Sequence, residues 1–275
     1  FIRAGEKTGF SVEIISKDDY DSIPEFNALF IRETTNINHH TFRFAQRAEA
    51  EGLVVIDDPG SILKCANKVY LAELLNHYRI PTPQTVVISK ENVEDVLNRL
   101  YFPVILKQPD SSYSQGVLKV ESVESYLKTA EMLLDKSDLI IAQEFMPTEF
   151  DWRIGVLNRE PIYACKYYMA RNHWQVVNWK EKGKKRYGNW ETFRIEDVPK
   201  TIVRTAVRAA NLIGDGLYGV DLKTIGTRCY VIEVNDNPNV DTNIEDKVLK
   251  DELYLRIMQE FFDRIQKKSQ WKKSK

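Results

Sequence analysis

The stretch between residues 217 and 235 restricts the fold of this chain most strongly, because apolar and polar residues alternate there in two runs. Successive side chains of a β-strand point to opposite faces of a sheet, so the two runs predict a hairpin with one apolar face. Placing Asp221 opposite Glu233 gathers the apolar residues on one face, whereas a slip of one residue would divide them. That face carries Val220, Leu222, Ile232 and Val234. The register requires a turn of odd length around Ile225 to Arg228, and Gly226 suits such a turn.

The opposite face of the predicted hairpin carries two carboxylates and one amide, which belong to Asp221, Glu233 and Asn235. Oxygen ligands of this kind suit a hard cation such as Mg²⁺, which usually shares its ligand shell with substrate phosphates. The same residues would also fit the solvent-facing side of an ordinary hairpin. The polar segment Asp236-Asn237-Pro238-Asn239 favours the metal site, because it adds an irregular loop where a ligand could dock.

The rest of the chain alternates predicted strands and helices, which indicates a mixed α/β (α+β) fold. Besides the hairpin, the predicted strands cover residues 11–15, 28–31, 53–56, 85–88, 102–107, 117–120, 139–144, 152–157 and 162–169. The predicted helices cover residues 39–51, 61–78, 91–100, 122–134, 198–213 and 251–267. The 275 residues are enough for one large domain or for two smaller domains that share a cleft.

The composition is that of an ordinary globular protein, with 43% hydrophobic residues and a net charge of −1. This balance gives no overall attraction to nucleic acid or to a membrane, and no apolar run approaches the roughly 20 residues of a membrane span. Two basic clusters lie at residues 180–186 and 267–275. They are either solvated surface or contacts for phosphates or an acidic substrate.

The cysteines and histidines predict a reduced, cytoplasmic protein without structural zinc. Cys65, Cys165 and Cys229 are far apart and odd in number, which does not suggest a disulfide framework. His39 and His40 are adjacent, but the histidines as a group do not show metal-ligand spacing. No secretory signal is visible.

Polar residues that could bind phosphates stand near the middle of the chain. Lys107 ends an apolar strand, where a lysine can hold its charge against phosphates, and the loop after it could close over them with backbone N–H groups. The candidate residues of this loop are Ser111, Ser112, Ser114 and Gly116. Lys68 stands in the preceding predicted helix. Each lysine would otherwise be an ordinary solvated side chain.

A second group of candidates follows the apolar strand that ends before Pro147. A strand that stops at a proline-containing hinge exposes backbone groups that suit an adenine edge, although it could also be a plain crossover between domains. The hinge residues are Gln143, Glu144, Phe145 and Met146. Beyond them, Asp151 and Arg153 share a strand face. They form either an ion pair worth about 0–1 kcal/mol or a site for a ribose and an anionic reaction centre.

These segments occur in a characteristic order: Asn67-Lys68, Ile105-Leu106-Lys107, Gln143-Glu144-Phe145-Met146, Asp151-Trp152-Arg153, Gly219-Val220-Asp221-Leu222 and Ile232-Glu233-Val234-Asn235. The order resembles that of the ATP-grasp superfamily, and most closely its RimK-type and glutathione-synthetase-like carboxylate–amine ligases. The resemblance covers roughly residues 53–265 and is most specific in the hairpin. The chain departs from the family pattern in the loop after Lys107, which is usually glycine-rich and here contains only Gly116.

The resemblance implies an ATP-grasp fold in which two α+β subdomains grip ATP, with Mg²⁺ or alternatively Mn²⁺ as the metal. The implied nucleotide ligands are Lys68 and Lys107 for the phosphates, Glu144 and Met146 for adenine, and Asp151 for the ribose. The implied metal ligands are Asp221, Glu233 and Asn235. Arg153 would stabilise the transferred phosphoryl group, and Lys166 and Arg171 are further candidates for the same anionic centre.

The resemblance also divides the chain into four parts. Residues 1–61 would be a partial α/β domain that precedes the ATP-grasp domain and is shortened at its start. Residues 62–142 would be the N-terminal ATP-grasp subdomain, residues 143–267 the C-terminal subdomain with the metal site, and residues 268–275 a basic tail. In the first part, the turn from Arg32 to Asn36 could contact substrate.

The implied reaction forms an amide bond through an acyl phosphate. The partners would be a carboxylate and an amine from an amino acid, a peptide or a protein terminus, and a homo-oligomer is left open. One alternative is a protein that binds ATP as a sensor or scaffold without ligation, and another is a kinase. A nucleic-acid role for the basic clusters is the least favoured, and it would require salt-sensitive binding.

Overall fold

Three sheets organise the chain in its computed structural model, which describes residues 1–109 and 116–273. The α-helices are α1 Ile2–Lys7, α2 His40–Ala50, α3 Pro59–Ala66, α4 Lys68–His77, α5 Asp95–Arg99, α6 Val123–Leu134, α7 Lys200–Ile213 and α8 Asp251–Lys273. The strands are β1 Ala28–Phe30, β2 Val54–Ile56, β3 Thr85–Ile88, β4 Val104–Lys107, β5 Val117–Val120, β6 Ile140–Glu144, β7 Phe150–Leu157, β8 Glu160–Tyr168, β9 Trp190–Phe193, β10 Leu217–Ile225 and β11 Arg228–Asn235. Short 3-10 helices cover Tyr20–Glu25, Gly183–Arg186 and Ile195–Asp197.

The first sheet is small and parallel, with β1 paired to β2. Helix α2 packs against this sheet, and Phe44, Ala45 and Ala48 are buried in the core beneath it. The strand predicted over residues 11–15 is wrong, because that segment has no regular structure. Ile14 remains 80% exposed there, so an apolar run that lacks a partner strand and a core was mistaken for a strand.

The second sheet has four antiparallel strands in the order β3-β6-β4-β5. Helix α6 covers it and buries Tyr126, Ala130 and Leu133 against the strands. Ser122 caps this helix by accepting a hydrogen bond from the backbone N–H of Ser125, which satisfies a donor at the helix start. One end of β4 places Lys107 at the edge of this core.

The third sheet has five antiparallel strands in the order β11-β10-β7-β8-β9. One face packs against α7, whose buried residues Ile202, Ala206 and Ala210 share a core with the apolar side chains of the strands. The other face carries most of the predicted site residues. Strand β9 was not predicted from the sequence, because the alternation in Trp190–Phe193 is short and mostly exposed at the sheet edge.

The hairpin of β10 and β11 confirms the predicted pairing at Asp221 with Glu233 and at Val220 with Val234. The expected pairing of Leu222 with Ile232 is wrong, because a bulge after Asp221 brings Leu222 opposite Val231. The bulge absorbs one residue, so the turn between the strands has an even length of two residues rather than an odd length. Val231 is therefore the residue buried in the core.

Helix α8 runs to Lys273, so the helix end predicted at residue 267 is six residues too early. The amino-terminal part of the helix buries Leu253, Ile257 and Phe261 against α1 and β2, which explains why the element is held in place. In the part of the chain that the structure describes, none of the helices combines the length and the hydropathy of a membrane span. The division at residues 61 and 142 stays a prediction.

Candidate active site

The centre of the site is an ion pair between neighbouring strands. Arg153 of β7 stands directly opposite Asp221 of β10, and its Nε and Nη2 each donate to one oxygen of that carboxylate at 2.7 Å. This two-pronged geometry is the strong form of the interaction. Burial alone would lower the pKa of Arg153, but the adjacent Asp221 raises it well above its ordinary value. Arg153 is therefore a permanent cation within this sheet face.

The amide of Asn235 joins this ion pair from β11. Its Nδ2 donates to the Asp221 carboxylate at 3.2 Å and to the Gly219 carbonyl at 3.3 Å. Because the nitrogen makes both bonds, the amide oxygen is the atom left for a cation. The three predicted metal ligands thus lie on one face, since Glu233 is the register partner of Asp221.

Gly219 allows a close approach on this face of the hairpin. A Cβ at Gly219 would lie 2.7 Å from Cβ of Pro238 and 3.5 Å from Cδ of Arg153, so a larger residue would displace one of them. Pro238 belongs to the polar segment predicted to lie beside the metal ligands. Arg32 fixes that segment by donating to the Asn237 side chain at 2.6 Å and to the Pro238 carbonyl at 2.9 Å.

Lys68 reaches Glu233 because the predicted helix over residues 61–78 is divided in two. The helix breaks at Asn67, whose extended backbone ends α3 and whose side chain accepts from the Tyr70 N–H to begin α4. Lys68 therefore occupies the first turn of α4, and its Nζ lies 3.0 Å from Glu233 Oε1. Burial would raise the pKa of Glu233, but the charges of Lys68 and Lys107 outweigh it and hold the pKa below its ordinary value.

Lys107 is a partly buried cation with a neutral partner. Its Nζ donates to Gln143 Oε1 at 2.7 Å, and the Gln143 amide nitrogen in turn donates to Thr85 at 3.0 Å. Burial lowers the pKa of Lys107 to about 8, because this face offers little solvent to stabilise the charge. Glu233 opposes the shift, whereas Lys68 adds to it. A phosphate group would complete the coordination of such a lysine.

Asp151 binds a lysine that the sequence reasoning did not assign to the site. Lys223 of β10 donates to the Asp151 carboxylate at 2.6 Å and to the Thr148 hydroxyl at 2.7 Å. Asp151 and Arg153 therefore each pair across strands, and the alternative of an ion pair between these two is wrong. Burial raises the pKa of Asp151, and Lys223 counters part of that shift. Lys223 is two residues from Asp221 and four from Gly219 in β10, so the alternation of the strand predicts that it lies on the same face.

The segment between β6 and β7 connects the second and third sheets, as expected for a hinge. Phe145 contacts the ring of Trp174 edge-on at 5.9 Å and lies 4.6 Å from Nζ of Lys119. Met146 is buried, and Glu144 accepts a hydrogen bond from the Gln84 N–H at 3.2 Å. Side chains thus contact the hinge at Phe145, and Gln84 contacts it at Glu144. Gln143, which precedes Glu144, is hydrogen-bonded to Lys107.

Lys166 and Arg171 do not join this cluster. Lys166 is the register partner of Trp152, so it lies on the face packed against α7 and not on the face of Arg153. Its Nζ lies 4.4 to 5.1 Å from the rings of Phe150, Trp152 and Phe193, an aromatic surrounding that stabilises the cation. The expectation that Lys166 shares the anionic centre is contradicted by the alternation of β8. Arg171 follows the end of β8 and is exposed.

The loop predicted to cover the phosphates falls largely outside the described residues. Ser111, Ser112 and Ser114 belong to the segment 110–115, which lies outside the described residues. Gly116 is described and has a φ of 72°, a conformation that favours glycine. Its carbonyl accepts from the Gln108 N–H at 3.2 Å, so the ends of the loop meet beside Lys107.

Two buried carboxylates near the hairpin have oxygens without a hydrogen-bond partner in the described part of the chain, which the sequence did not indicate. Both oxygens of Asp57, at the end of β2, and Oδ2 of Asp236 are buried without a hydrogen bond among the described residues. Burial and then the charge of Asp236 raise the pKa of Asp57 well above its ordinary range. Burial also raises the pKa of Asp236 to about 6. Burying a carboxylate oxygen without a hydrogen bond costs folding free energy. The region around Asp57 and Asp236 is therefore a candidate for ligand contact.

The comparisons with known proteins identify the family to which the chain belongs. Residues 65–260 match the family described as the RimK-like ATP-grasp domain, so the chain belongs to that family, and the expected family and fold are confirmed. Among its relatives are the alpha-aminoadipate–LysW ligase LysX of Saccharolobus solfataricus, 27% identical over 86% of this chain and 87% of that protein, and a probable alpha-L-glutamate ligase of Vibrio vulnificus, 23% identical over 90% and 86%.

Solved structures show the same fold. The D-alanine–D-alanine ligase of Bacillus anthracis aligns with a TM-score of 0.73 and 12% identity, covering 96% of this chain and 90% of that one. A RimK domain ATP-grasp protein of Sphaerobacter thermophilus aligns with a TM-score of 0.70 and 18% identity, covering 94% and 92%. At these identities the likeness concerns the fold alone.

Proposed function

We propose that this chain is a Mg-ATP-dependent ligase that joins a carboxylate to an amine. The observation that carries the proposal is the gathering of Asp221, Glu233 and Asn235 on one sheet face with the cations Arg153 and Lys68. Transfer of a phosphoryl group depends mainly on alignment and on fixed charges, so a site of this kind needs these groups rather than a nucleophilic side chain. The ligase class agrees with the names of the relatives.

The donor set fits Mg²⁺. Two carboxylates and an amide oxygen are hard oxygen ligands, and they leave part of the ligand shell to water and phosphate oxygens. Asp221, Glu233 and Asn235 would hold the ion, which would neutralise charge on the phosphate oxygens. Mn²⁺ is the alternative with similar ligand preference. Without the ion, Arg153 and Lys68 balance the same carboxylates, so metal binding would free these cations to face phosphates.

The nucleotide would lie between the second and third sheets. Lys68 and Lys107 would contact its phosphates, and the loop that ends at Gly116 would cover them. The backbone of Glu144 and Met146 would meet adenine, with Gln143 and Phe145 supporting the hinge. Asp151 would meet the ribose, which would require its bond with Lys223 to open or to be shared.

The reaction would proceed in two displacements. An oxygen of the substrate carboxylate attacks the γ-phosphorus of ATP, so that an acyl phosphate forms and the bond to ADP breaks. Arg153 would stabilise the negative charge of the transferred group from the same sheet face, because the metal ion would take its place at the neighbouring Asp221. The amine then attacks the acyl carbon, phosphate leaves with the original carboxylate oxygen, and the amine releases a proton.

The substrates belong to the class of amino acids and peptides. The relatives named above include ligases for alpha-aminoadipate and for glutamate, both of which are amino acids. We therefore place an amino acid or the end of a peptide as the carboxylate and the amine. The substrates would approach where the polar segment 236–239 meets residues 32–36, because Arg32 and Asn237 are hydrogen-bonded there.

An isotope experiment tests the ligation directly. Pairs of amino acids, one with ¹⁸O in its carboxylate, are incubated with ATP and Mg²⁺, and released phosphate is analysed by mass spectrometry. The proposal predicts ADP release that needs both partners and one ¹⁸O in each phosphate. Arg153→Met is expected to lower the rate by about 10²–10³-fold, the usual effect of removing a fixed charge-stabilising donor.

The same experiment separates the rival functions. A kinase would give a stable phosphorylated product and would not require the amine. A sensor or scaffold would bind ATP without release of ADP over the whole panel of amino acids and dipeptides. Phosphate that contains no ¹⁸O, so that its fourth oxygen comes from water, would contradict the acyl-phosphate route, whichever partners are present.

A further inference from the structure

A group of nitrogen and oxygen ligands lies outside the nucleotide site, at the start of α2. One ring nitrogen each of His39 and His40 and one carboxylate oxygen of Glu33 lie within 4.8 Å of one another. His40 Nε2 is 3.0 Å from Glu33 Oε2, and the two imidazole rings have centroids 4.0 Å apart. These three side chains, Glu33, His39 and His40, are called the His-Glu cluster below.

The local backbone brings two adjacent histidines together. His39 is the N-cap of α2 and has an extended backbone, with φ −101° and ψ 155°, whereas His40 is the first helical residue. The change of direction at the cap allows neighbouring side chains to converge, which sequence spacing alone did not reveal. Glu33 comes from the turn after β1, so the cluster joins two separate segments.

The hydrogen bonds of Thr41 hold the ring of His39 in place at the start of α2. The buried Thr41 hydroxyl donates to the Thr34 carbonyl at 3.0 Å. The same hydroxyl lies 3.0 Å from Nδ1 of His39, and the Thr41 N–H donates to that nitrogen at 3.5 Å. In the tautomer with the ring proton on Nδ1, that proton is donated to the hydroxyl and Nε2 keeps its lone pair for a metal. Such an outer hydrogen bond is the usual support of a metal-bound histidine.

We infer that the His-Glu cluster binds a zinc-class divalent ion, separate from the Mg²⁺ site of the hairpin. Two imidazoles and one carboxylate with a fourth position open to solvent are a common arrangement for such ions. Ligand atoms around a tetrahedral ion lie about 3.3 Å apart for bonds of roughly 2.0–2.1 Å. The His40 to Glu33 distance of 3.0 Å is close to that value. Nitrogen ligands favour Zn²⁺ or Co²⁺ over Mg²⁺, which prefers oxygen.

The cluster lies close to the polar segment that follows the hairpin. The carbonyl of Glu33 accepts a hydrogen bond from the Asn237 side chain, and Asn237 follows the metal ligand Asn235 by two residues. Glu33 itself is more than half exposed, so the open coordination position faces solvent. A water molecule or a substrate carboxylate would fill it.

Cobalt absorption tests the inference, because tetrahedral Co²⁺ with nitrogen ligands absorbs visible light far more strongly than octahedral Co²⁺ with oxygen ligands. The whole chain is titrated with Co²⁺ in excess Mg²⁺, which occupies the oxygen site of the hairpin. We expect an intense band that saturates at one equivalent and is displaced by Zn²⁺. His39→Ala with His40→Ala should abolish the band, and Glu33→Gln should weaken Co²⁺ binding at least tenfold.

A matched control and a positioning variant sharpen the test. His77→Ala removes a histidine of α4 that lies outside the cluster and should leave the band unchanged. Thr41→Val keeps the shape of the side chain but removes the hydroxyl that orients His39, so Co²⁺ affinity should fall by about 10–100-fold. Circular dichroism checks that each variant is folded. No intense band in the parent chain, or an equal band in the folded double variant, would overturn the inference.

Discussion

The second and third sheets meet at the candidate site but balance their charges in different ways. On the third sheet, every site cation has a carboxylate partner, with Arg153 bound to Asp221 and Lys223 to Asp151. On the second sheet, Lys107 is hydrogen-bonded to the neutral side chain of Gln143. The third sheet therefore pairs its site cations with its own carboxylates, whereas Lys107 donates to a neutral amide oxygen in the described part of the chain.

The difference indicates which ligand each of the two sheets would bind. Carboxylates that already hold cations can exchange them for a metal ion with little change in net charge. A partly buried lysine with a lowered pKa gains more from an incoming phosphate, because the phosphate supplies the charge that burial removed. Metal binding on the third sheet and phosphate binding on the second are thus two different electrostatic events.

The largest expected effect comes from breaking the ion pair of Arg153 and Asp221 on the third sheet. Arg153→Leu leaves Asp221 as a buried carboxylate without its partner, so the free energy of unfolding should fall by about 3–5 kcal/mol. Urea denaturation of the parent and the variant measures this. A second variant with Asp221→Leu in addition should recover much of the loss, because the isolated charge is then removed. If the single variant is as stable as the parent, the pair is not a structural element of the sheet.

A carboxylate without a hydrogen-bond partner among the described residues provides the opposite case. Asp57 has a raised pKa, so the folded chain binds its proton more tightly than the unfolded chain does. That contribution to stability is present below about pH 3.9 and is lost as the pH rises through the folded pKa. Asp57→Asn should therefore raise the free energy of unfolding by about 1–3 kcal/mol at pH 7.5.

The pH dependence of this gain distinguishes it from improved packing. Near pH 4 the folded parent carboxyl is protonated and the unfolded one is about half protonated, so most of the advantage of the amide should vanish. Thermal melts of the parent and Asp57→Asn at pH 4 and pH 7.5 give the comparison. A gain that is equal at both values would contradict the assignment of Asp57 as an unpaired buried acid.

A smaller effect tests which face of the third sheet carries the chemistry. Lys166→Met removes a cation from the aromatic surroundings on the α7 face, and the loss of stability should be about 1 kcal/mol. ATP affinity and turnover should not change, because Lys166 points away from Arg153. Calorimetric titration with Mg-ATP decides this, and a large loss of affinity in a folded variant would mean that the face assignment is wrong.

The smallest expected signal is a proton uptake by Lys107 on the second sheet. The pKa of Lys107 is about 8, and a bound phosphate should raise it, so ATP binding at pH 8 should take up roughly half a proton. Calorimetry in two buffers of different ionisation enthalpy measures this uptake. Lys107→Met should abolish it. An unchanged uptake in that variant would assign the proton to another group.

Much of the third sheet could be predicted from the sequence, because a strand pattern with period two determines both its face and its register. Asp221, Glu233 and Val220 lie as this pattern predicts. The bulge that pairs Leu222 with Val231 could not be predicted, since it changes the register without changing the composition of either strand. The placement of Lys166 could have been predicted, since it follows from the alternation of β8 with Trp152.

Contacts between distant segments were beyond sequence reasoning. The ion pair of Lys68 with Glu233 depends on the helix break at Asn67, where a capping side chain replaces the expected continuous helix. The unpaired state of Asp57 depends on how β2 packs near Asp236, which no local pattern encodes. The His-Glu cluster likewise combines a cap residue with a turn more than five residues away. Each of these features arises from tertiary packing.

The central claim is that the hairpin holds Mg²⁺ for ATP, and calorimetric titration with ATP in the presence and absence of Mg²⁺ tests it most directly. In the parent chain, Mg²⁺ should tighten ATP binding, and Glu233→Gln should reduce that gain at least tenfold, or about 1.4 kcal/mol. Glu252→Gln, an exposed residue of α8, serves as the control and should behave like the parent. An equal Mg²⁺-dependent gain in Glu233→Gln and in the parent would contradict the claim.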